Sequence, residues 1–223
     1  MKNTRKKVTA FVLAAVICLS AGAIATTSAS AAEIGSHFVQ VQNTMPMLRN
    51  GIWLSTGANG HFEYIEIHNS VNKMHIVSSE NMMGVSGEFD YESITGVYTV
   101  HPGCITQTET WTLSKNDGAT AEITMDDGSC RTLFFLGGGN LDNVFSLNDL
   151  SSMAQNYFEI RNGADESVRF VAVMRANCSG LADIRVIKHY GGRAYTIETF
   201  TIDIRSGGGW DTAENVIDFT YFA

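Results

Sequence analysis

The chain has 223 residues, of which 44% are hydrophobic and 17% are charged, and its formal net charge is −8 at pH 7. With 21 glycines and only 2 prolines, this composition is typical of a globular, β-rich protein with many tight turns, and it argues against a disordered stalk. No basic run follows Lys7, which argues against proteins that bind nucleic acid or anionic membranes by neutralising phosphate charge.

The first 32 residues have the features of a secretory signal peptide. Four basic residues lie within Met1–Lys7, an apolar run follows over Val8–Ala25, and Ala29–Ala31 forms the A-x-A pattern of a signal-peptidase site. Cleavage would remove four positive charges and no negative charge, which changes the net charge from −8 to −12. The alternative is an uncleaved membrane anchor, because the apolar run approaches the ~20 residues that span a bilayer. We expect cleavage, and therefore a secreted, extracellular protein.

Between Asn50 and Leu136 the sequence consists of short extended runs separated by turn residues, the pattern of a β-sandwich or barrel. The turns Asn116-Asp117-Gly118 and Asp126-Asp127-Gly128 contain residues that tolerate positive φ, as tight hairpins require. Eight strands are predicted: Gly51–Ser55, Phe62–Ile67, Met74–Ser78, Val85–Tyr91, Val97–His101, Ile105–Leu113, Ala119–Met125 and Arg131–Leu136. Eight strands can close a barrel whose interior holds side chains or one small ligand. The sequence therefore predicts an antiparallel β-barrel domain over residues 33–145.

After the glycine run Gly137–Asn140, the pattern predicts a small α+β unit over residues 146–223. A helix should begin near Ser146 or Asn148 and end at Asn162-Gly163, because apolar residues recur at helical spacing between these signals. Four antiparallel strands are predicted to follow: Val168–Arg175, Leu181–His189, Tyr195–Ile204 and Asn215–Phe222. The helix would cover the apolar face of this sheet. A second domain is favoured, and a single fused body is the alternative.

Two parts of the chain resemble known families. Gly51-Ile52-Trp53 and the Asp127-Gly128 turn before Leu133–Leu136 resemble short secreted lipocalin-like β-barrel proteins of Gram-positive anaerobes, most of which have no assigned function. Ile197–Gly209 looks like the end of the C-terminal segment of the same proteins, and it is also similar to the final hairpin of PepSY-type modules. The first resemblance implies a barrel fold. The second implies a helix-plus-sheet fold associated with peptidase inhibition, and neither brings catalytic residues.

Aromatic residues at strand positions are the candidate binding residues of the first half. In a barrel that its side chains do not fill completely, they would line an apolar cavity, the usual form of a small-molecule site. The alternative is that they form a packed core. The candidate lining comprises Trp53, Phe62, Tyr64, Phe89, Tyr91, Trp111 and Phe134.

No motif in the chain defines catalysis, a metal site or a cofactor site. Gly84-Val85-Ser86-Gly87 is one residue short of the nucleophile elbow Gly-x-Ser-x-Gly and is interpreted as a turn. His61, His68 and His75 recur every seven residues, but strand geometry would scatter them, so we interpret them as surface residues. No cofactor and no metal are therefore predicted.

Three functions stay open at this stage. The preferred one is a secreted, non-catalytic binding protein whose barrel takes a small apolar ligand or a glycan. The second is a protein-interaction module, such as a peptidase inhibitor, that acts through residues 146–223. The third is a small extracellular hydrolase, for which Glu63 with Glu66, or Glu88 with Asp90, would supply paired carboxylates. The expected partner is a small molecule, a glycan or a secreted protein, and not nucleic acid.

Three cysteines, Cys104, Cys130 and Cys178, follow the leader. An oxidising compartment favours one disulfide, and Cys104 with Cys130 is the preferred pair because both lie at predicted strand starts in the same half. In a flat meander with one strand between them, their Cα atoms would be about 9.5–10 Å apart, whereas a disulfide requires about 4.4–6.8 Å. The bridge therefore needs a bent sheet end, or a loop that folds over after Pro102.

Thiol counting under denaturing, non-reducing conditions tests this pair. One free thiol is expected in the secreted protein, and none is expected in its Cys178→Ser variant. Three free thiols in the unsubstituted protein would refute the bridge. Closing a loop of this length would stabilise the fold by roughly 3 kcal/mol, so reduction should lower the free energy of unfolding by about that amount.

Overall fold

The computed structural model describes residues 44–57, 61–103, 107–175 and 179–223. Its first part is a closed barrel of eight antiparallel strands in chain order, in which the last strand pairs with the first. This confirms the predicted barrel. The strands are β1 (Gly51–Thr56), β2 (Phe62–His68), β3 (Lys73–Ser78), β4 (Gly84–Glu92), β5 (Val97–Pro102), β6 (Glu109–Asn116), β7 (Thr120–Met125) and β8 (Cys130–Gly137).

The hairpin between β6 and β7 shows how turn chemistry sets the strand boundaries. Gly118 has a φ of +83°, a conformation that glycine adopts without steric cost. The Asp117 carboxylate accepts hydrogen bonds from Thr120 N at 2.6 Å and Ala119 N at 2.9 Å. These bonds, together with one from the Thr120 hydroxyl, lower the pKa of Asp117 to about 2. The turn is therefore fixed by its own side chains.

Apolar side chains fill most of the interior of the barrel. Alternate residues of each strand point inward, as strand geometry requires, and the apolar ones form one cluster with little or no exposure to solvent. The buried members are Leu48, Trp53, Ile65, Ile67, Met74, Phe89, Tyr98, Val100, Trp111, Leu113, Ala121, Ile123 and Leu133.

The segment 44–50, which precedes β1, closes one end of the barrel. Leu48 is fully buried in the interior cluster, and its backbone N–H donates to the Tyr98 hydroxyl at 2.7 Å. The Tyr91 hydroxyl donates to Met45 O at 2.6 Å, and Trp53 Nε1 donates to Arg49 O at 2.9 Å. Burial raises the pKa of Tyr98. Three aromatic side chains from the barrel thus hold this segment in place.

The helix α1 spans Leu147–Asn162 and ends at Gly163, as the sequence predicts. Its N-cap is Ser146, whose hydroxyl accepts from Asp149 N at 3.0 Å, while Asp149 Oδ2 accepts from Ser146 N at 3.2 Å. This capping box satisfies backbone donors that the first turn would otherwise leave unpaired. Within the described ranges, no helix has the length and apolar character needed to cross a membrane.

The C-terminal sheet has five antiparallel strands, where the sequence predicts four. They are β9 (Val168–Met174), β10 (Leu181–Tyr190), β11 (Arg193–Asp203), β12 (Gly208–Trp210) and β13 (Val216–Asp218), in the order β13-β12-β11-β10-β9. The strand predicted over Asn215–Phe222 is shorter, because Phe219–Phe222 forms a 3₁₀ helix. The sequence pattern does not predict β12, because its glycines are typical of turns. A side chain at Gly209 would overlap Thr201 O, so glycine allows β12 to pair with β11.

A second apolar cluster joins the barrel to the C-terminal elements. Ile52, Leu54 and Tyr64 point outward from β1 and β2 and are fully buried. They pack in one core with the apolar side of α1 and with the inner face of β9–β11. The outer wall of the barrel at β1 and β2 is therefore an internal surface of the protein.

Tyr98→Phe tests the contact that holds the segment before β1. The substitution leaves the buried N–H of Leu48 without its acceptor, so we expect the free energy of unfolding to fall by about 1–3 kcal/mol. Urea denaturation measures this change. Tyr221→Phe is the matched control, because Tyr221 is 83% exposed and should lose nothing measurable. Equal stability of both variants would contradict the assigned role of Tyr98.

Candidate functional site

Four of the seven predicted lining residues lie together inside the barrel. Trp53, Phe89 and Trp111 are buried, and Tyr91 packs against the same cluster, with its ring centroid 4.4 Å from that of Tyr98. Aliphatic and aromatic members of the interior cluster surround these rings, and Trp111 Nε1 donates to the Glu109 carboxylate at 3.3 Å. In the structure these four residues are thus part of a packed core.

The other three predicted residues, Phe62, Tyr64 and Phe134, point outward from the barrel and belong to the cluster shared with the C-terminal elements. The Tyr64 hydroxyl donates to Phe145 O at 3.2 Å, and burial raises the pKa of Tyr64. Sequence alternation could not separate the two groups, because both faces of β1 and β2 are apolar. The seven aromatic residues therefore do not line one common cavity.

A cleft of about 870 Å³ lies at the border between the barrel and the C-terminal sheet. One wall is formed by β8 and the start of β7. Another is formed by the residues just before β10 and by the end of β11 with the turn that follows it, and residues of the connection before α1 also line the cleft. The lining residues are Ala119, Thr120, Phe134, Phe135, Leu136, Asp142, Asn143, Val144, Phe145, Ser179, Gly180, Asp203, Arg205 and Ser206. Of the predicted residues only Phe134 reaches this cleft.

Arg205 fixes the two walls of the cleft relative to each other. It follows β11, and its guanidinium donates to Leu136 O at 2.6 Å and to Gly138 O at 3.2 Å. Gly137 lies between these two acceptors with a φ of +132°, and a side chain there would overlap Arg205 Nη1. The backbone conformation thus favours glycine at this position, and a side chain there would also force the tip of Arg205 to move.

Two carboxylates, those of Asp142 and Asp203, line the cleft. Asp203 Oδ1 accepts from Arg205 N at 2.8 Å and from Ser206 N at 2.9 Å, which orders the turn after β11. Asp142 is exposed, and its Oδ2 accepts from Asn140 Nδ2 at 3.2 Å. The second oxygen of each carboxylate accepts no hydrogen bond from another described residue. Within the described part of the chain, the cleft thus combines carboxylate oxygens that have no donor with the partly buried rings of Phe134 and Phe145.

The carboxylates that a hydrolase would need as pairs are distributed over both faces of the barrel wall. Glu63 points into the barrel and forms an ion pair with Arg131, while Glu66 lies on the outer wall and pairs with His68 at 2.6 Å. These two glutamates therefore face opposite sides of the wall. Glu88 and Asp90 share the outer face of β4, and Asp90 pairs with His101 at 3.3 Å.

Ser86 and His75 form a hydroxyl–imidazole contact on the outer wall, with Oγ 2.9 Å from Nδ1. Ser86 lies within β4 and not on a strained turn, and the nearby Gly103 N–H already donates to Ser86 O at 2.8 Å. That N–H is therefore not free to stabilise an oxyanion. The rings of His68 and His75 are 6.2 Å apart, closer than the sequence spacing suggested, because β2 and β3 pair directly. The described residues contain no group of three or more ligands suited to a metal ion.

The predicted disulfide involves a residue outside the described part of the chain. Cys130 is the first residue of β8, is exposed, and has no cysteine partner among the described residues. Cys104 and Cys178 both lie outside the described residues. The bridge therefore stays a prediction.

Comparison with protein-family models, with curated proteins and with solved structures finds no match to this chain.

Gly137→Ala tests the contact that sets the shape of the cleft. The substitution introduces strain at a positive φ and displaces Arg205, so we expect the free energy of unfolding to fall by roughly 1–3 kcal/mol. Gly128→Ala is the matched control, because Gly128 also has a positive φ, of +79°, but no neighbouring atom within 4 Å of an added side chain. Chemical denaturation of both variants gives the comparison.

The double variant Gly137→Ala with Arg205→Ala separates the overlap from the backbone strain. If the two residues compete for the same space, the double variant should lose less stability than the two single variants together. Strict additivity would show that Arg205 does not constrain the residue at position 137.

Proposed function

We propose that this protein is a secreted, non-catalytic binding protein that holds a neutral glycan segment in the cleft between the barrel and the C-terminal sheet. The observation that carries the proposal is a cleft of about 870 Å³ that combines the rings of Phe134 and Phe145 with the carboxylates of Asp142 and Asp203, each of which has one oxygen without a hydrogen-bond donor among the described residues. Secretion is inferred from the leader at residues 1–32. This binding role is the first of the three functions predicted from the sequence. The proposed site, however, lies on the outer side of the barrel and not in its interior.

The chemistry of the cleft favours a glycan over a wholly apolar ligand. Sugar rings present hydroxyl donors, which match carboxylate oxygens, and C–H faces, which pack on aromatic rings. A wholly apolar ligand would instead bury these carboxylates without a partner, at a cost in free energy.

The charges of the cleft favour a neutral ligand over an anionic one. Two carboxylates face a single guanidinium, and that guanidinium already donates to Leu136 O and Gly138 O. The formal net charge of −8 for the whole chain acts in the same direction. Like charges at a binding surface suppress association with acidic partners.

Titration with neutral oligosaccharides tests this proposal. Isothermal calorimetry with cello-, xylo-, chito- and malto-oligosaccharides should show binding of at least one series. Asp142→Ala removes an exposed acceptor without disturbing the core, so it should weaken that binding by about tenfold or more.

Asp90→Ala removes an exposed carboxylate from β4, a strand that contributes no residue to the cleft, and is the matched control; its affinity should stay within about twofold of the unsubstituted protein. Absence of binding for every series at millimolar concentration would contradict the proposal. Equal affinity of the Asp142→Ala variant would contradict the location of the site.

A further inference from the structure

A small cavity of about 260 Å³ lies where three parts of the fold meet. The start of β2 and the residues after β3 form one side of it, the first two turns of α1 form the second, and β9 forms the third. At about 30 Å³ for each molecule of liquid water, the cavity suits a ligand of roughly six to nine non-hydrogen atoms. None of its lining residues lines the cleft described above, so the two sites can be tested separately.

Hydrogen bonds between the three parts fix the walls of the cavity. Ser79 N donates to Phe62 O at 3.1 Å, and Leu147 N donates to Ser79 O at 2.8 Å. The Ser151 hydroxyl accepts from Ala172 N at 3.2 Å, which joins α1 to β9. Because these bonds already hold the walls in place, a small ligand would need to order little of the protein on binding.

Apolar side chains from all three parts line the cavity. Leu147 and Met174 are buried, and Phe62 and Phe170 are partly buried against the core that the barrel shares with the C-terminal elements. Such walls favour a ligand with an apolar body. Aromatic rings in addition attract organic cations.

Ser79 contributes a buried hydroxyl to this lining. The residue is 1% exposed, and its Oγ has no hydrogen-bond partner among the described residues. Since the backbone N–H and C=O of Ser79 are both bonded, the hydroxyl is the polar group that it can offer to a ligand. A buried hydroxyl without a partner costs free energy, and a donor on a bound molecule would remove that cost.

The charges at the cavity favour a cation. Its described lining contains no Lys or Arg, and Glu80 supplies the only carboxylate. Glu80 Oε1 lies 3.5 Å from His61 Nδ1, a contact that is an ion pair only when His61 is protonated. The start of α1 does not offer its amides to an anion, because Asn148 N already donates to Glu80 O at 3.0 Å. The formal net charge of −8 also attracts cations.

We propose that this cavity binds a small primary amine with an apolar body, whose ammonium group lies between the Glu80 carboxylate and the Ser79 hydroxyl. These two residues are adjacent in sequence, and an ammonium group has three donors to share between them. The apolar body would pack on Phe62, Leu147 and Phe170. An anionic ligand is disfavoured by Glu80, and a wholly apolar one would leave the Ser79 hydroxyl without a partner.

Benzylamine and benzyl alcohol test the proposal, because the two molecules have nearly the same shape and differ in charge. Each is titrated into the secreted protein at mildly alkaline pH, and binding is followed by the NMR chemical shifts of the backbone amides. Benzylamine should bind with a dissociation constant of about 1 mM or lower, and at least about tenfold more tightly than benzyl alcohol or benzoate. The largest shifts should fall on the amides of Ser79, Leu147 and Ala172.

Glu80→Gln removes the charge and keeps the shape of the side chain. The Glu80 side chain is 58% exposed, so the fold should be retained. We expect the affinity for benzylamine to fall by about tenfold or more, and the affinity for benzyl alcohol to stay within about twofold. Glu88→Gln, exposed on the outer wall of the barrel, is the matched control and should leave both affinities unchanged.

Ser79→Ala tests the hydroxyl. The affinity for benzylamine should fall by about threefold or more. The stability of the protein without benzylamine should not fall, because the hydroxyl that is lost has no partner among the described residues. Ser55→Ala is the matched control. Its buried hydroxyl likewise has no partner in the described part of the chain, but it lies inside the barrel, so the affinity for benzylamine should not change.

Four results would overturn the proposal. The first is no binding of benzylamine at about 10 mM. The second is equal or tighter binding of benzyl alcohol or benzoate. The third is unchanged affinity for benzylamine in both the Glu80→Gln and the Ser79→Ala variants. The fourth is a set of shifts confined to residues outside the cavity, because this would assign the amine to another surface.

Discussion

The packing of the outer face of β1 and β2 against the C-terminal elements is the constraint on which the rest of the structure depends. Ile52, Leu54 and Tyr64 have no exposed surface, and burying side chains of this size contributes about 1.5–3 kcal/mol each. An isolated barrel would expose this apolar stripe to water. The helix α1 and the C-terminal sheet cover it, and the cleft of the proposed function lies beside this covered surface.

The filled barrel explains why the candidate sites lie outside it. Two indole rings, several aliphatic residues and the segment before β1 form one packed cluster inside the barrel, and such interiors leave few voids larger than a water molecule. The inward-pointing Ser55 is fully buried, and its hydroxyl has no hydrogen-bond partner among the described residues. Its neighbours in the register are Glu63 on β2 and Leu133 on β8. This part of the interior is polar, with the Glu63–Arg131 ion pair on the two strands that flank β1.

Much of the fold could be predicted from local sequence patterns. The hairpin turns at Asp117-Gly118 and Asp127-Gly128, and the caps of α1 at Ser146 and Gly163, place element boundaries within a few residues of those observed. These features depend on backbone chemistry within a short stretch of chain. The strand β12 escaped prediction because its glycines resemble a turn, and only its approach to Thr201 shows why glycine is needed there.

The candidate site could not be predicted in the same way, because it depends on contacts between distant parts of the chain. Arg205 bonds to Leu136 and Gly138, which are 69 and 67 residues away in sequence. No local pattern marks such a contact. Likewise, alternation along β2 does not tell whether Tyr64 or Ile65 points into the barrel, since both are apolar. In the structure Tyr64 belongs to the core shared with α1, and Ile65 belongs to the interior of the barrel.

Urea unfolding followed by hydrogen exchange and mass spectrometry tests the shared core most directly. The account predicts that backbone amides of β1–β8 and of β9–β11 lose protection at the same urea concentration, because one apolar cluster includes side chains from both. Loss of protection in β9–β11 at a clearly lower urea concentration, with the barrel still protected, would contradict the account. It would show that the barrel is stable without the cover that α1 and the C-terminal sheet provide.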